Sequence, residues 1–234
     1  MAGARRSLEQ SMRREGIEGT LLYAPSLLII FFIVIYPIGF AAYLSTWYYH
    51  LVRLGDKRFV GLQNYGRILA DPEFWSSLVK GLYFTFGSLI PQIVLGLAMA
   101  QLLNHPRLKG KTLWRGLMVT PWLVPTVTVA IIFRWMFHDI FGILNYILIW
   151  IGVLKEPVPW LAKPGLAMVV LIVANVWRGV PLMVMMFLAG LQGISPELYQ
   201  AARVDGAGPW QTYSRITLPL LAPIILIAGI LRTI

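Results

Sequence analysis

The sequence predicts an all-α integral membrane protein with about five membrane-spanning helices, the number of long apolar runs that it contains. Of its 234 residues, 58% are hydrophobic and only 13% are charged, whereas soluble domains carry about a quarter charged residues. Each run has the length, about 20 residues, that a helix needs to cross a bilayer. The net charge of +10 comes from short basic clusters between these runs. This pattern favours charges that orient the helices over a nucleic-acid-binding face.

The first predicted span lies within residues 19–52, which contain no Asp, Glu, Lys or Arg. Its centre, residues 21–44, is long enough to cross the bilayer as a helix. A cleaved signal peptide has a shorter apolar core of about 7–15 residues, so an uncleaved span is predicted. Two arginine pairs precede it within residues 1–20, and this stretch is predicted to be a cytoplasmic amino-terminal segment.

The second predicted span covers residues 81–103. The third covers residues 116–137 and is interrupted by Pro121 and Pro125, which remove backbone donors and break helices. Residues 141–154 are also apolar, but this stretch is too short to cross the bilayer. It is therefore predicted to form an interfacial or re-entrant helix.

The fourth predicted span, residues 165–190, carries Arg178 in its middle, followed by Gly179 and Pro181. A charged side chain inside a span must face a cavity, a partner or the bundle interior. The glycine and the proline are expected to weaken the helix there and to free backbone groups that need partners. Arg178 is therefore predicted either to line a solute pathway or to pair structurally with another helix, and the sequence leaves both open.

A fifth span begins near Ile216 and runs to Ile234, about 19 residues, which is barely one crossing. Because a protein rarely ends in mid-bilayer, the chain is predicted to be a fragment. With the amino terminus inside, the inner segments hold 10 Lys and Arg residues and the outer segments hold 7. This bias predicts a cytoplasmic amino terminus. Arg134 and Arg232 lie near span ends and are predicted to snorkel to the interface.

The sequence predicts no catalytic residue, metal site or nucleotide site in this chain. It has no cysteine, which excludes disulfides and thiolate metal sites. Its three histidines lie in different segments without a helical i, i+4 pair, so a metal site is not expected. Gly110, Lys111 and Thr112 resemble the end of a phosphate-binding loop, but the earlier glycine of that loop is replaced by His105.

Residues 195–215 predict a helix–turn–helix hairpin on the cytoplasmic face. Ser195 is a favourable helix cap, Pro196 suits the first helical position, and Gly206 is a natural stop. A second helix is predicted to start at Gly208 and Pro209 and to continue into the fifth span. Small residues are expected to keep the hairpin surface flat, so that another protein can dock there: Ala201, Ala202, Gly206 and Ala207. The alternative is an amphipathic helix on lipid, but two acidic residues would be poorly placed against anionic headgroups.

This hairpin resembles the EAA signature of the transmembrane subunits of bacterial ABC importers. The signature is Glu-Ala-Ala, three residues, Gly, nine residues, then Ile-x-Leu-Pro. The chain has Gln200-Ala201-Ala202, Gly206 and Ile216-Thr217-Leu218-Pro219 at the same spacing, with Gln in place of the first Glu. The stretches "FVGLQNYGRILADPEFW", "NVWRGVP" and "ITLPLLAP" are similar to the carbohydrate branch, the maltose, multiple-sugar and glycerol-phosphate permeases. The resemblance extends from Leu21 onward.

The resemblance implies a type I ABC importer permease bundle over residues 21–234, with about five of an expected six spans and a carboxyl-terminal truncation. Residues 195–215 would then be the coupling hairpin that docks in a cleft of a cytoplasmic ATPase dimer. ATP and Mg²⁺ would bind that partner, and this chain would hold no cofactor. A second homologous permease subunit and an extracytoplasmic solute-binding protein are further implied partners, in the bacterial cytoplasmic (inner) membrane. The residues implied in ATPase coupling are Glu197, Gln200, Ala201, Ala202, Asp205, Gly206, Ile216 and Pro219.

The sequence leaves three alternatives: a truncated remnant that does not transport, an ion-coupled secondary transporter, and an integral membrane enzyme. A secondary transporter needs intramembrane carboxylates, and the predicted spans hold none in their interiors. The solute is left open by the sequence. Trp135, Trp177 and Arg178 are the pathway candidates, because indole rings stack on sugar rings and the guanidinium is costly to bury without a role.

Overall fold

The computed structural model describes residues 22–49 and 56–233, which form two compact units that divide between Ser77 and Leu78. The predicted cytoplasmic segment, residues 1–20, lies outside the described residues. Within the described ranges the chain forms nine helices, named α1 to α9 here, and one two-stranded hairpin. The helical architecture agrees with the predicted fold class. The two-stranded β-hairpin is an addition that the sequence did not predict.

The first unit contains the first predicted span as helix α1, Leu22–Ser45. A five-residue π-helical segment, Phe31–Ile35, lies inside α1. None of the span is buried within the unit, as expected for a helix whose apolar side chains face lipid. Strands β1, Trp47–Tyr49, and β2, Lys57–Phe59, then pair antiparallel, and helix α2, Gln63–Ala70, follows.

Side-chain hydrogen bonds fasten α2 to the carboxyl end of α1. The Asn64 side-chain amide donates to the backbone carbonyls of Ser45 (2.9 Å) and Trp47 (3.0 Å). The hydroxyls of Ser45 and Tyr65 are 2.6 Å apart. Because the last carbonyls of a helix have no partner within the helix, the Asn64 amide satisfies the Ser45 carbonyl at the end of α1.

Helix α3, Pro72–Asn104, contains the second predicted span and begins nine residues earlier than predicted. The Asp71 carboxylate accepts a hydrogen bond from the Glu73 backbone N–H (2.9 Å), which caps the helix start and explains the early beginning. The fourth span is helix α7, Pro164–Gln192. The fifth is helix α9, Pro209–Thr233. Their cores agree with the predicted spans.

The third predicted span consists of two helices, α4, Lys111–Leu123, and α5, Thr126–Met136, which meet at an angle of 91°. The bend lies at Val124, which is extended (ψ 126°) before Pro125, as the steric clash with a following proline requires. Pro121 lies inside α4 and does not interrupt it, so the predicted interruption at Pro121 is wrong. Helix α6, Ile143–Trp150, is the short helix predicted within residues 141–154. Among the described residues, four helices are long and apolar enough to span a membrane, or five if the bent pair counts as one.

Helix α7 is the centre of the second unit, where it packs against α4, α5 and α9. The main buried cluster joins α3, α7 and α9 and consists of Leu97, Ala100, Leu103, Val180, Met183, Val184, Phe187, Leu188, Leu191, Leu221 and Ala228. A second cluster joins α5 to α7 through Val129, Phe133, Phe137 and Val170. The Gly179 and Pro181 pair does not interrupt α7, which is continuous and buries both residues. The expected weakening is therefore wrong, because tight packing holds the helix through the proline.

Gly96 brings α3 close to α7. A Cβ at this position would lie 2.7 Å from the Met183 Cβ and 3.1 Å from the Phe187 ring, so only glycine fits between the two helices. We expect Gly96→Ala to force the helices apart and to lower the free energy of unfolding by about 1–3 kcal/mol, the usual cost of overpacking. Thermal unfolding of the purified chain in detergent, followed by circular dichroism, measures this loss.

Gly229→Ala is the matched control, because a Cβ at Gly229 in α9 would meet no atom within 4 Å. Alanine is the better helix former, so this variant should unfold at the same or a higher temperature than the parent chain. Equal unfolding temperatures for the two variants would show that the α3–α7 contact does not depend on Gly96.

Candidate functional site

The hairpin predicted over residues 195–215 is present and its first helix is α8, Pro196–Val204. Ser195 caps it by accepting a hydrogen bond from the Glu197 N–H (3.3 Å). The helix ends in a Schellman motif, in which Ala207 N–H bonds the Ala202 carbonyl (2.9 Å) and Gly206 N–H bonds the Arg203 carbonyl (3.2 Å). Gly206 has a φ of +74°, a conformation that other residues adopt only with strain.

The second arm of the hairpin is the beginning of membrane helix α9, as predicted. Gly208 precedes it, Pro209 takes the first helical position, and the Gln211 side chain accepts from the Gly208 N–H (3.1 Å). The helix then continues to Thr233, with a π-helical segment at Tyr213–Thr217. The second arm of the hairpin is therefore continuous with a membrane-spanning helix, with no loop between them.

Ala202 does not belong to the exposed docking surface predicted for the hairpin, because it is only 6% exposed. It lies three residues after Tyr199, and i, i+3 residues share one face of a helix. The Tyr199 hydroxyl is 3.2 Å from the Thr217 hydroxyl of α9. This face of α8 is therefore turned toward the protein, and the prediction for Ala202 is corrected.

The other predicted coupling residues have the exposure that contact with a partner needs. Exposed side chains or backbone are found at Glu197, Gln200, Ala201, Asp205, Gly206 and Pro219. Ile216 is half-buried in the π-helical segment. Two carboxylates and one side-chain amide thus lie on or beside one short helix, at its solvent-exposed positions.

A polar cluster inside the bundle joins Gln92 of α3, Asn175 of α7 and Arg232 of α9. The Arg232 Nε donates to the Gln92 Oε1 (2.7 Å), and an Arg232 Nη donates to the Asn175 Oδ1 (2.8 Å). The Gln92 Nε2 donates to the Asn175 carbonyl (3.2 Å). Arg232 therefore does not snorkel to the interface as predicted, because it finds acceptors on two neighbouring helices.

Gly179 provides the space for this cluster. A Cβ at Gly179 would lie 2.5 Å from the Gln92 Oε1 and 2.6 Å from an Arg232 Nη. Gly179 and Asn175 are one helical turn apart, so they lie on the same face of α7. The absence of a side chain at Gly179 thus lets the Gln92 amide, which is fully buried, and the Arg232 guanidinium lie against the α7 backbone.

Arg178 immediately precedes Gly179 in α7 and differs from Arg232 in its hydrogen bonds. Its Nε is shielded from solvent and has no hydrogen-bond partner within the described ranges. Among the described residues, the only contact of ion-pair length between a basic side chain and a carboxylate joins His138 to Asp139 (2.9 Å). The two arginines therefore have no carboxylate partner there, and their region is positively charged.

The two tryptophan candidates occupy different surroundings. Trp177 packs against Phe133 with ring centroids 5.8 Å apart and is 40% exposed. Trp135 is 68% exposed and lies two residues after Phe133, on the other side of α5. The structure therefore brings Phe133, not Trp135, to Trp177.

Sequence reasoning missed Gln92 and Asn175. Both are amide side chains inside apolar stretches, and buried polar side chains require partners. An amide within an apolar stretch could have indicated both residues from the sequence. It does not identify Arg232 as their common partner.

Comparisons with known proteins agree with these features. The family model described as "Binding-protein-dependent transport system inner membrane component" matches residues 92–234. The chain is 39% identical over 221 residues to the trehalose/maltose transport system permease protein MalF of Thermococcus litoralis, a match that covers 94% of this chain and 74% of that protein. It is 33% identical over 218 residues to the lactose transport system permease protein LacF of Rhizobium radiobacter, covering 93% and 72%.

Solved structures with the same fold include a bacterial alginate ABC transporter in complex with an alginate pentasaccharide-bound periplasmic protein. The TM-score is 0.74 at 26% identity, over 93% of this chain and 73% of that one. A second structure of a bacterial ABC transporter that imports alginate has a TM-score of 0.72 at 23% identity, over 97% and 75%. The resemblance found in the sequence is thereby confirmed. The chain belongs to the family of binding-protein-dependent transport system inner membrane components and is a multi-pass permease subunit of an ABC importer.

Proposed function

We propose that this permease subunit carries a sugar across the cytoplasmic membrane and is driven by ATP hydrolysis on a partner ATPase that docks at the α8 hairpin. The observation that carries the proposal is the continuity of the hairpin with membrane helix α9, Pro209–Thr233. The sugar class rests on the relatives, which are named as trehalose/maltose and lactose permeases. ATP and Mg²⁺ are held by the ATPase, and a second homologous permease subunit completes the pathway.

The exposed face of α8 provides the contact with the ATPase. Glu197 and Asp205 supply the negative charge that Gln200 lacks, and Gln200 contributes hydrogen bonds from its amide. Charge-assisted hydrogen bonds are about twice as strong as neutral ones, so the two carboxylates carry most of the contact. When the ATPase dimer closes on ATP, it displaces α8, and the Tyr199–Thr217 contact (3.2 Å) passes this movement to α9.

The orientation in the membrane follows from this contact. The hairpin and the amino terminus lie on the cytoplasmic side, in agreement with the excess of Lys and Arg in the predicted inner segments. A solute-binding protein delivers the sugar on the opposite side. Support for this partner comes from the related alginate transporter, which was crystallised with a periplasmic protein bound to an alginate pentasaccharide.

The sugar pathway passes the polar cluster of Gln92, Asn175 and Arg232, with Arg178 as the donor that remains free for solute. The side-chain amides of Gln92 and Asn175 and the guanidinium groups of the two arginines suit the hydroxyl groups of a sugar, which both donate and accept hydrogen bonds. Trp177 is left out of this pathway, because its ring packs against Phe133 and lines an apolar groove between α3, α4 and α7. Trp135 is left out of this pathway because α5 directs Phe133, not Trp135, toward α7.

Reconstitution tests the proposal as a whole. The chain is co-expressed with an ATPase and a second permease of the same organism, and the complex is placed in liposomes with the binding protein outside and ATP inside. We expect uptake of radiolabelled maltose, trehalose or lactose that requires ATP hydrolysis. Uptake that follows an imposed ion gradient without ATP would instead identify a secondary transporter.

The ATPase contact depends on three side chains of the hairpin. We expect the combined change of Glu197, Gln200 and Asp205 to Ala to weaken co-purification of the ATPase by about tenfold or more, because each charge-assisted hydrogen bond contributes about 1.5–3 kcal/mol. Binding of labelled ATPase to the purified permease measures the loss. The matched control changes Asp56, Gln63 and Glu156 to Ala, the same residue types at exposed positions of predicted outer segments. Equal binding by the two triple variants would contradict the docking site.

The polar cluster depends on the acceptor that Gln92 offers to Arg232. Gln92→Leu leaves the Arg232 Nε without its 2.7 Å partner, and an unpaired buried donor costs about 1–3 kcal/mol. We expect a lower unfolding temperature and at least a tenfold loss of ATP-driven sugar uptake at equal amounts of folded complex. Gln101→Leu in the same helix is the control, since the Gln101 side chain makes no hydrogen bond among the described residues. Full uptake by Gln92→Leu would exclude the cluster from the pathway.

A further inference from the structure

An apolar groove runs between α3, α4 and α7 of the second unit. Its volume is about 460 Å³, within the range of about 300–1,000 Å³ that is typical of ligand pockets. Its lining is almost entirely apolar and includes Met99 of α3, Trp114, Met118 and Pro121 of α4, and Val176 and Trp177 of α7. Apart from the indole N–H groups of Trp114 and Trp177, such a lining offers no hydrogen-bond partner for the hydroxyl groups of a sugar, whose burial without partners would be costly. The groove therefore suits a hydrocarbon chain and not the transported solute.

One end of the groove is marked by a dense basic segment. Residues 104–115 contain four basic residues and no acidic one: Arg107, Lys109, Lys111 and Arg115. Lys111, Trp114, Met118 and Pro121 are spaced by three or four residues and lie along one stripe of α4. Lys111 therefore precedes, on the same stripe, the side chains that line the groove.

Arg115 adds an unsatisfied donor to this end. It lies one turn after Lys111, so the two side chains share a face of α4. The Arg115 Nε is shielded from solvent and donates to no acceptor in the part of the chain that the structure describes. The side chain as a whole remains partly exposed. A buried donor without a partner is rare, and an anionic oxygen placed beside Arg115 and Lys111 would satisfy it with charge-assisted hydrogen bonds.

We propose that this groove binds an anionic phospholipid of the cytoplasmic leaflet, with its phosphate at Lys111 and Arg115 and one acyl chain along Trp114, Met118 and Val176. Charge complementarity selects the headgroup, and the apolar lining selects the chain. On the predicted topology residues 104–115 lie at the cytoplasmic face, where basic pockets between membrane helices bind anionic headgroups. The site is separate from the Gln92–Asn175–Arg232 cluster, and its existence does not depend on which sugar is transported.

The test uses the full purified chain in phosphatidylcholine vesicles that contain increasing fractions of phosphatidylglycerol with brominated acyl chains. Bromine quenches tryptophan fluorescence at short range, and Trp114 and Trp177 both line the groove. We expect saturable quenching at low fractions of the brominated anionic lipid and weaker, unsaturated quenching with brominated phosphatidylcholine. Trp114→Phe should remove a large part of the saturable component.

Further variants separate the contribution of the lipid headgroup from that of the acyl chain. Lys111→Gln combined with Arg115→Gln should raise the lipid fraction at half-saturation by about 30-fold, on the basis of two basic residues at a membrane surface. Lys155→Gln combined with Lys163→Gln, which removes the same charge from a predicted outer segment, should leave it unchanged. Val176→Phe, or Met99→Phe if the first variant unfolds, should abolish saturation by filling the groove while the basic residues remain.

Three outcomes would overturn the proposal. Equal quenching by the two brominated lipids would mean that the groove takes any acyl chain. Loss of saturation in the basic variant but not in either groove-filling variant would reduce the effect to surface attraction. Loss of all saturable quenching when the second permease subunit is added would show that the groove is a subunit interface.

Discussion

Arg232 places one guanidinium between three membrane helices, and the second unit is arranged around its hydrogen bonds. A charged group in a span is costly unless it is paired, so its acceptors must stay within about 3 Å, the length of a good hydrogen bond. Gln92 and Asn175 provide them and so fix α3 and α9 against α7. Gly179 is required at this level because any side chain would displace the Gln92 amide. Gly96 lies one turn after Gln92 on α3. Its close contact with Met183 of α7 therefore follows from the same alignment of the two helices.

Helix α9 connects the interior of the bundle to the α8 hairpin. Arg232 and Thr217 lie on the same helix, 15 residues and therefore about 22 Å apart at 1.5 Å per residue. Thr217 is 3.2 Å from Tyr199 of α8, so one helix connects the exposed hairpin with the buried cluster. The π-helical segment Tyr213–Thr217 lies where the hairpin becomes the span. π-Helical turns are uncommon and occur frequently at functional sites, and in the proposed coupling this segment is where the movement of α8 enters α9.

Local patterns predicted most of this fold, and long-range contacts account for what they missed. The spans, the bend at Pro125 and the Ser195 and Gly206 boundaries of α8 all depend on neighbours within a few residues. The snorkelling rule for Arg232 failed because its acceptors lie 140 and 57 residues away in the chain. Helical spacing places Ala202 on the face of Tyr199, but only packing against α9 decides that this face is buried. Pro181 was expected to weaken α7 for a local reason, and burial in the core outweighed it.

Arg232 and Arg178 have different roles in the proposed pathway. Arg232 already donates to protein acceptors, so a solute that used it would first have to break bonds of 2.7 and 2.8 Å. The Arg178 Nε has no such bond within the described residues, and a hydroxyl or carbonyl oxygen would relieve an unsatisfied donor there. The protein hydrogen bonds of Arg232 keep the shape of such a site. The solute then binds through the few contacts that Arg178 provides. Weak binding of this kind is what a transporter requires, because a solute that is held tightly inside the membrane is not released.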